Sequence, residues 1–173
     1  AYENSRMPKF YWDISLGLDY LEKGQTPFTP AISIFYGLQE SLRMMLEEGL
    51  DNILNRHQFY RQIVRLSVKE MGLNLLAPES NASPAVTSVI APNNIGANRI
   101  RRVMQDEFNI TLAGGQKSLD DVVFRIGHLG YIRELDLLSC LAALEMALVK
   151  LGFNLELGCG IKKAQTLLYD NHC

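Results

Sequence analysis

Val122-Val123-Phe124-Arg125-Ile126-Gly127-His128-Leu129-Gly130 sets a β-branched and aromatic run around one arginine and closes it with two glycines. A run this short, preceded by the turn-rich GGQKSLDD, reads as a strand over 122–126. The strand enters a core, so Arg125 emerges at or near its buried end, where a charged side chain needs a partner. Two partners are open. One is a carboxylate of the same chain, Asp120 and Asp121 being nearest in sequence; the other is a ligand carboxylate, whose two oxygens match the parallel donors of a guanidinium.

Working outward, Ile110 to Ala113 forms a second strand before the GGQKSLDD turn, and Ile95 to Phe108 has helical spacing. Upstream, Leu73 to Leu76 and Ala85 to Ala91 read as strands around the loop APESNASP. Downstream, Leu137, Leu141, Leu144, Leu148 and Leu151 alternate four and three apart, which predicts a helix over 133–151 with Gly152 as its stop. Two more helices precede the strands. One runs over 31–48 on Ile34, Leu38, Leu42 and Met45 and ends at Gly49; the other runs over 50–71 on Leu50, Leu54, Val64, Val68 and Met71. His57 lies between Arg56 and Gln58 and reads as a partly exposed structural histidine. A short helix over 13–22 stops at Lys23-Gly24, and in GQTPFTPAIS Pro30 takes the first helical position with Thr29 as its N-cap. The order predicts an α+β fold: a small, mainly antiparallel sheet with helices packed on one face.

The chain has 173 residues, 47% hydrophobic and 21% charged, with 17 basic against 19 acidic residues and a net charge of -2. That is enough chain for a real core, and no long basic run points to nucleic acid or an anionic membrane. Arg99-Ile100-Arg101-Arg102, the densest basic patch, reads as a solvated helix face. Cys140, Cys159 and Cys173 are too scattered for a metal site and too few for a disulfide framework, so no metal is expected and a reducing, cytoplasmic setting fits. No apolar stretch reaches the ~20 residues of a membrane span. The start AYENSRMPKFYWD has neither an initiator methionine nor a signal-peptide core and reads as a cut from something longer.

A TP-rich turn opening a long helix, Ala-Gly-Gly ending a strand, then FRIGHLG and a last helix: in this order the residues from Tyr11 to Gly152 resemble the C-terminal region of the class V, fold-type I aminotransferases that use pyridoxal 5'-phosphate. The alanine:glyoxylate and serine:pyruvate group is the most similar. Residues 125–130 match that family's R-[IV]-G-x-[LM]-G motif position by position, supported by TPFTPAIS...LQESL and NITLAGG. The resemblance implies that Arg125 clamps the α-carboxylate of a small amino acid, alanine or serine, or of a 2-oxo acid such as glyoxylate or pyruvate. It implies that Thr29, with Thr26 as a second candidate, contacts the cofactor phosphate across a homodimer, although capping alone also explains Thr29. It implies that Gly114 and Gly115 shape a loop on the substrate side, although a plain turn explains them too. Residues 1–30 would then be a linker and short helix from a preceding large domain, 31–152 the small α+β domain, and 153–173 an extension with weak periodicity.

The family's Schiff-base lysine and the aspartate that pairs with the pyridine nitrogen belong upstream of the matched region, so no catalytic residue is assigned here and the chain alone is expected to be inactive. A competing reading makes the chain a stand-alone module that binds a small anion through Arg125 without cofactor or catalysis. Two other activities of related chains fit less well. A desulfurase needs a nucleophilic cysteine on a mobile loop, whereas Cys140 falls within the last helix. Hydrogenase chemistry needs clustered cysteines.

Overall fold

A computed structural model describes residues 4–172; the reading of the extreme start and of Cys173 lies outside the described residues. The chain divides into two compact units, one through Glu48 and one from Gly49 onward.

The first unit holds two helices, α1 (Ile14–Glu22) and α2 (Ile32–Glu48). The Asp13 carboxylate accepts from the Ser15 and Leu16 amides at 3.0 and 3.3 Å and so caps α1. Gly24, at φ +64°, turns the chain after it. Phe28 stacks on Tyr11, with ring centroids 4.4 Å apart, and meets Phe10 edge-on. The expected cap of α2 is corrected: its first helical residue is Ile32, the Ile32 amide donates to the Pro30 carbonyl at 2.9 Å, and the Ala31 carbonyl receives the Ile34 and Phe35 amides. Ala31 therefore occupies the cap position, and Thr29 stands outside the helix.

The second unit begins with α3 (Leu50–Glu70), followed by β1 (Asn74–Leu75), β2 (Val86–Ile90), α4 (Ala97–Phe108), β3 (Ala113–Gly114), β4 (Val123–Gly127), α5 (Glu134–Lys150) and α6 (Cys159–His172). The four strands pair antiparallel in the order β1-β2-β4-β3. Alternation along the strands sends Thr87, Val89, Phe124 and Ile126 to one face, where they join the core built by Ile63, Val64 and Val68 of α3, Ile100 and Met104 of α4, and Leu141, Leu144 and Leu148 of α5. Val86, Ser88, Ile90, Val123 and Arg125 take the opposite face. The α+β class and the antiparallel sheet agree with the sequence reading.

Three expectations change. The strand read at Ile110–Ala113 shifts to Ala113–Gly114 because Ile110 is occupied in closing α4: Asn109 adopts φ +54° and the Ile110 amide donates to the Met104 carbonyl. His57 is 7% exposed and therefore buried, not partly exposed. Residues 153–173, read as an extension with weak periodicity, carry a helix: α6 packs on α3 and α5 and buries Ala164 and Leu168. The Glu145 carboxylate of α5 makes this docking specific. It accepts from the Gly158, Gly160 and Ile161 amides at 2.7, 2.6 and 3.1 Å, satisfying the open N–H groups at the start of α6 while itself only 3% exposed.

Candidate substrate-binding site

Arg125 projects from β4 onto the face of the sheet opposite the one that packs on α3, α4 and α5. Its Nε donates to the Gly114 carbonyl at 2.9 Å, and it forms no ion pair among the described residues. Neither nearby carboxylate is its partner. Asp121 accepts from the Asn98 amide at 2.7 Å at the start of α4, and Asp120 accepts from the Asp121 amide at 3.0 Å. The Nε bond fixes the roll of the guanidinium and leaves its two Nη groups for another acceptor, the edge that receives a carboxylate in two parallel hydrogen bonds.

The glycines before β4 shape this corner. Gly114 lies between two arginines: its carbonyl holds Arg125, and a β-carbon on it would come within 2.8 Å of Arg101 Nη1. Arg101 is itself held by the Leu112 carbonyl and the Asn98 side chain. A β-carbon on Gly115 would fall 1.8 Å from the Leu119 carbonyl oxygen, so only glycine lets the 115–119 turn close. Gly114 thus touches Arg125 directly, and Gly115 secures the turn beside it.

After Arg125 the chain is fixed by a set of contacts that the sequence did not announce. His128, 0% exposed, places Nδ1 at 3.0 Å from the Pro84 carbonyl and Nε2 at 2.9 Å from the Thr87 hydroxyl. The carbonyl requires Nδ1–H as donor, so Nε2 accepts from Thr87, and the ring is neutral. Burial pushes its pKa down to about 4. Two α3 side chains hold the Gly130 peptide: its amide donates to His57 Nε2 at 3.0 Å and its carbonyl accepts from Arg56 Nη1 at 2.9 Å. Gly130 has φ +89°, a conformation open to glycine. Nothing local in the sequence tied His57 to residue 130, seventy-three positions on.

The expected phosphate contacts differ from one another. The Thr29 hydroxyl is exposed and makes no hydrogen bond among the described residues. Thr26 donates its hydroxyl to the Phe28 carbonyl at 2.7 Å, which uses the proton a phosphate would need. Both lie in the first unit. Cys140 and Cys159 are not activated: burial pushes the Cys140 thiol in α5 up to about 11, and Cys159 is raised by burial and by the charge of Glu145. Among the described residues no helix is long and apolar enough to cross a membrane.

No family model matches the chain. Curated relatives do. Over 169 residues, 97% of the chain, it is 43% identical to the "Soluble hydrogenase, small subunit" of a Synechococcus strain, of which it covers 44%. It is 38% identical over 170 residues to the serine–glyoxylate aminotransferase of Arabidopsis thaliana, covering 42% of that protein. The crystal structure of ureidoglycine–glyoxylate aminotransferase from Bacillus subtilis superposes with a TM-score of 0.90 at 31% identity, over 96% of this chain and 44% of that one. The chain therefore spans less than half the length of these proteins.

Proposed function

We propose that the chain is the C-terminal domain of a class V, pyridoxal 5'-phosphate-dependent aminotransferase, a reading supported by its similarity to part of the glyoxylate aminotransferases, and that Arg125 binds the substrate carboxylate. The observation that carries the reading is the guanidinium itself. Arg125 is half-buried on the sheet face opposite α3, α4 and α5, oriented by a neutral carbonyl, and has no carboxylate of its own among the described residues. A cation so placed is matched to an incoming anion, and the flat Nη edge selects a planar one.

In the proposed reaction an amino group passes from alanine or serine to glyoxylate or pyruvate. Each of these substrates carries one α-carboxylate. Two charge-assisted hydrogen bonds from Arg125 fix the position and tilt of that carboxylate and so the direction of the bonds at the α-carbon. Gly114 holds the arginine at one roll angle, so less side-chain freedom is lost when substrate binds. Bound pyridoxal phosphate supplies the electron-withdrawing ring that makes the α-proton labile. Of this chain's residues Thr29 is suited to hold the phosphate, because its hydroxyl is exposed and makes no hydrogen bond among the described residues. We assign that contact to the site of a second subunit in a homodimer. None of the chain's lysines is assigned to the aldehyde of the cofactor, so the chain by itself is proposed to be inactive, and its setting to be the cytoplasm.

The reading is tested by assaying the full-length protein that carries this chain for keto-acid formation from alanine and serine with glyoxylate or pyruvate. Turnover that depends on added pyridoxal phosphate is expected, and none from residues 1–173 alone. Absence of turnover in the full-length protein with every donor and acceptor pair overturns the assignment. A borohydride-reducible stoichiometric adduct on a lysine of the isolated chain overturns the claim of inactivity.

A further inference from the structure

Resting on the reading of Arg125 as the carboxylate clamp, we propose that Ser88 is a second substrate-binding residue, whose hydroxyl donates to the same carboxylate. The register of the sheet carries this. Ser88 and Arg125 are directly opposed Cα partners of β2 and β4, so their side chains leave the sheet on the same face. Which kind of pair they form follows from the neighbouring bonds. The Ala91 amide donates to the Val122 carbonyl and the His128 amide to the Ala85 carbonyl, each at 2.9 Å. Hydrogen-bonded pairs on this ladder therefore fall on odd-numbered residues of β2. Ser88, whose carbonyl instead receives the Leu76 amide on the β1 side, lies in the intervening pair. In such pairs the Cα atoms stand about 4.5 Å apart and the side chains are at their closest.

The chemistry of the two positions is complementary. Arg125 leans toward β3 through its bond to Gly114, which leaves the space over its own strand on the β2 side to Ser88. The Ser88 hydroxyl is half-buried and has no partner among the described residues, while its neighbour Thr87 points to the other face and is committed to His128. The remaining side chains of this face on the two strands, Val86, Ile90 and Val123, offer neither donor nor charge. A carboxylate held end-on by Arg125 has an outer lone pair on each oxygen, and the hydroxyl directly across from Arg125 is the polar group of β2 on this face suited to donate to one. Ser88 would thereby fix the rotation of the carboxylate about its own axis, which the arginine leaves loosely set.

The test is a set of three variants in the full-length enzyme: Ser88→Ala, Ser88→Thr and Arg125→Lys, each checked for an unchanged melting temperature and pyridoxal phosphate content. Ser88→Ala is expected to raise KM for the amino donor and for the keto acid roughly tenfold, the size of one lost hydrogen bond to a charged group, with kcat within about twofold. Ser88→Thr keeps the hydroxyl and is expected to restore KM. Unchanged KM in Ser88→Ala alongside a raised KM in Arg125→Lys overturns the Ser88 proposal and leaves the clamp standing. Unchanged KM in both overturns the clamp itself and the Ser88 proposal with it.

Discussion

Glu145 and Gly160 meet at 2.6 Å, carboxylate oxygen to amide nitrogen, across two helices that the sequence keeps fifteen residues apart. Together with the Gly158 and Ile161 amides this contact seats the start of α6 on α5. Removing the carboxylate leaves buried amides without acceptors. Glu145→Ala should therefore destabilise the chain by about 3 kcal/mol, and hydrogen exchange should show α6 losing protection first. A loss under about 0.5 kcal/mol would mean that the apolar contacts of Ala164 and Leu168 hold α6 by themselves.

Gly115 offers a second stability test. An alanine there would put its β-carbon 1.8 Å from the Leu119 carbonyl, a backbone atom that cannot move without reopening the 115–119 turn. Gly115→Ala should cost roughly 2–3 kcal/mol, read as a shift of the urea midpoint. It should also raise KM for substrate in the full-length protein, because the Gly114 carbonyl that orients Arg125 immediately precedes this turn. Wild-type stability in this variant would contradict the geometry of the corner.

His128 sets a pH window. Its pKa is about 4 in the folded protein against 6.5 for the ordinary group, so between these values the unfolded chain binds a proton that the folded one refuses. The stabilisation is fully present above pH 6.5, falls as pH drops through the interval and is lost at about 4, by an amount on the order of 3 kcal/mol. Urea denaturation at steps from pH 7 to 4 should show this slope, and His128→Gln should flatten it. An equal slope in the variant would assign the acid sensitivity to carboxylates such as Glu79, whose pKa Arg65 holds down.

Thr29 separates capping from cofactor binding. Because α2 starts at Ile32 and Thr29 makes no bond to it, Thr29→Ala should change stability by less than about 0.5 kcal/mol. In the proposed full-length homodimer the same variant should release pyridoxal phosphate more readily on dialysis. Unaltered cofactor retention would remove Thr29 from the phosphate site.

Much of this was legible because local signals agreed. Asp13 and Lys23-Gly24 bracket α1, Gly49 and Gly72 bracket α3, and the leucine spacing of α5 left little freedom. What escaped depends on contacts distant in sequence. Ile161, Ala164 and Leu168 give α6 only a thin stripe behind two glycines, and its cap comes from Glu145 on another helix. The shift of β3 was hidden because closing α4 and pairing with β4 compete for the same residues. Arg125 could be singled out, but the fate of Asp120 and Asp121 could not, since their acceptor roles are decided by the start of α4 and by the local turn. Likewise the grip of Arg56 and His57 on Gly130 joins elements that only the fold brings together.

The central claim is that Arg125 holds the substrate carboxylate, and steady-state kinetics of Arg125→Lys in the full-length enzyme test it most directly. Lysine keeps the charge but replaces the two-pronged edge with a point donor. The account predicts a higher KM for the amino acid and a fall in kcat/KM on the order of 1.5–3 kcal/mol, with the fold and the bound cofactor intact. Kinetics equal to those of the parent enzyme would contradict it.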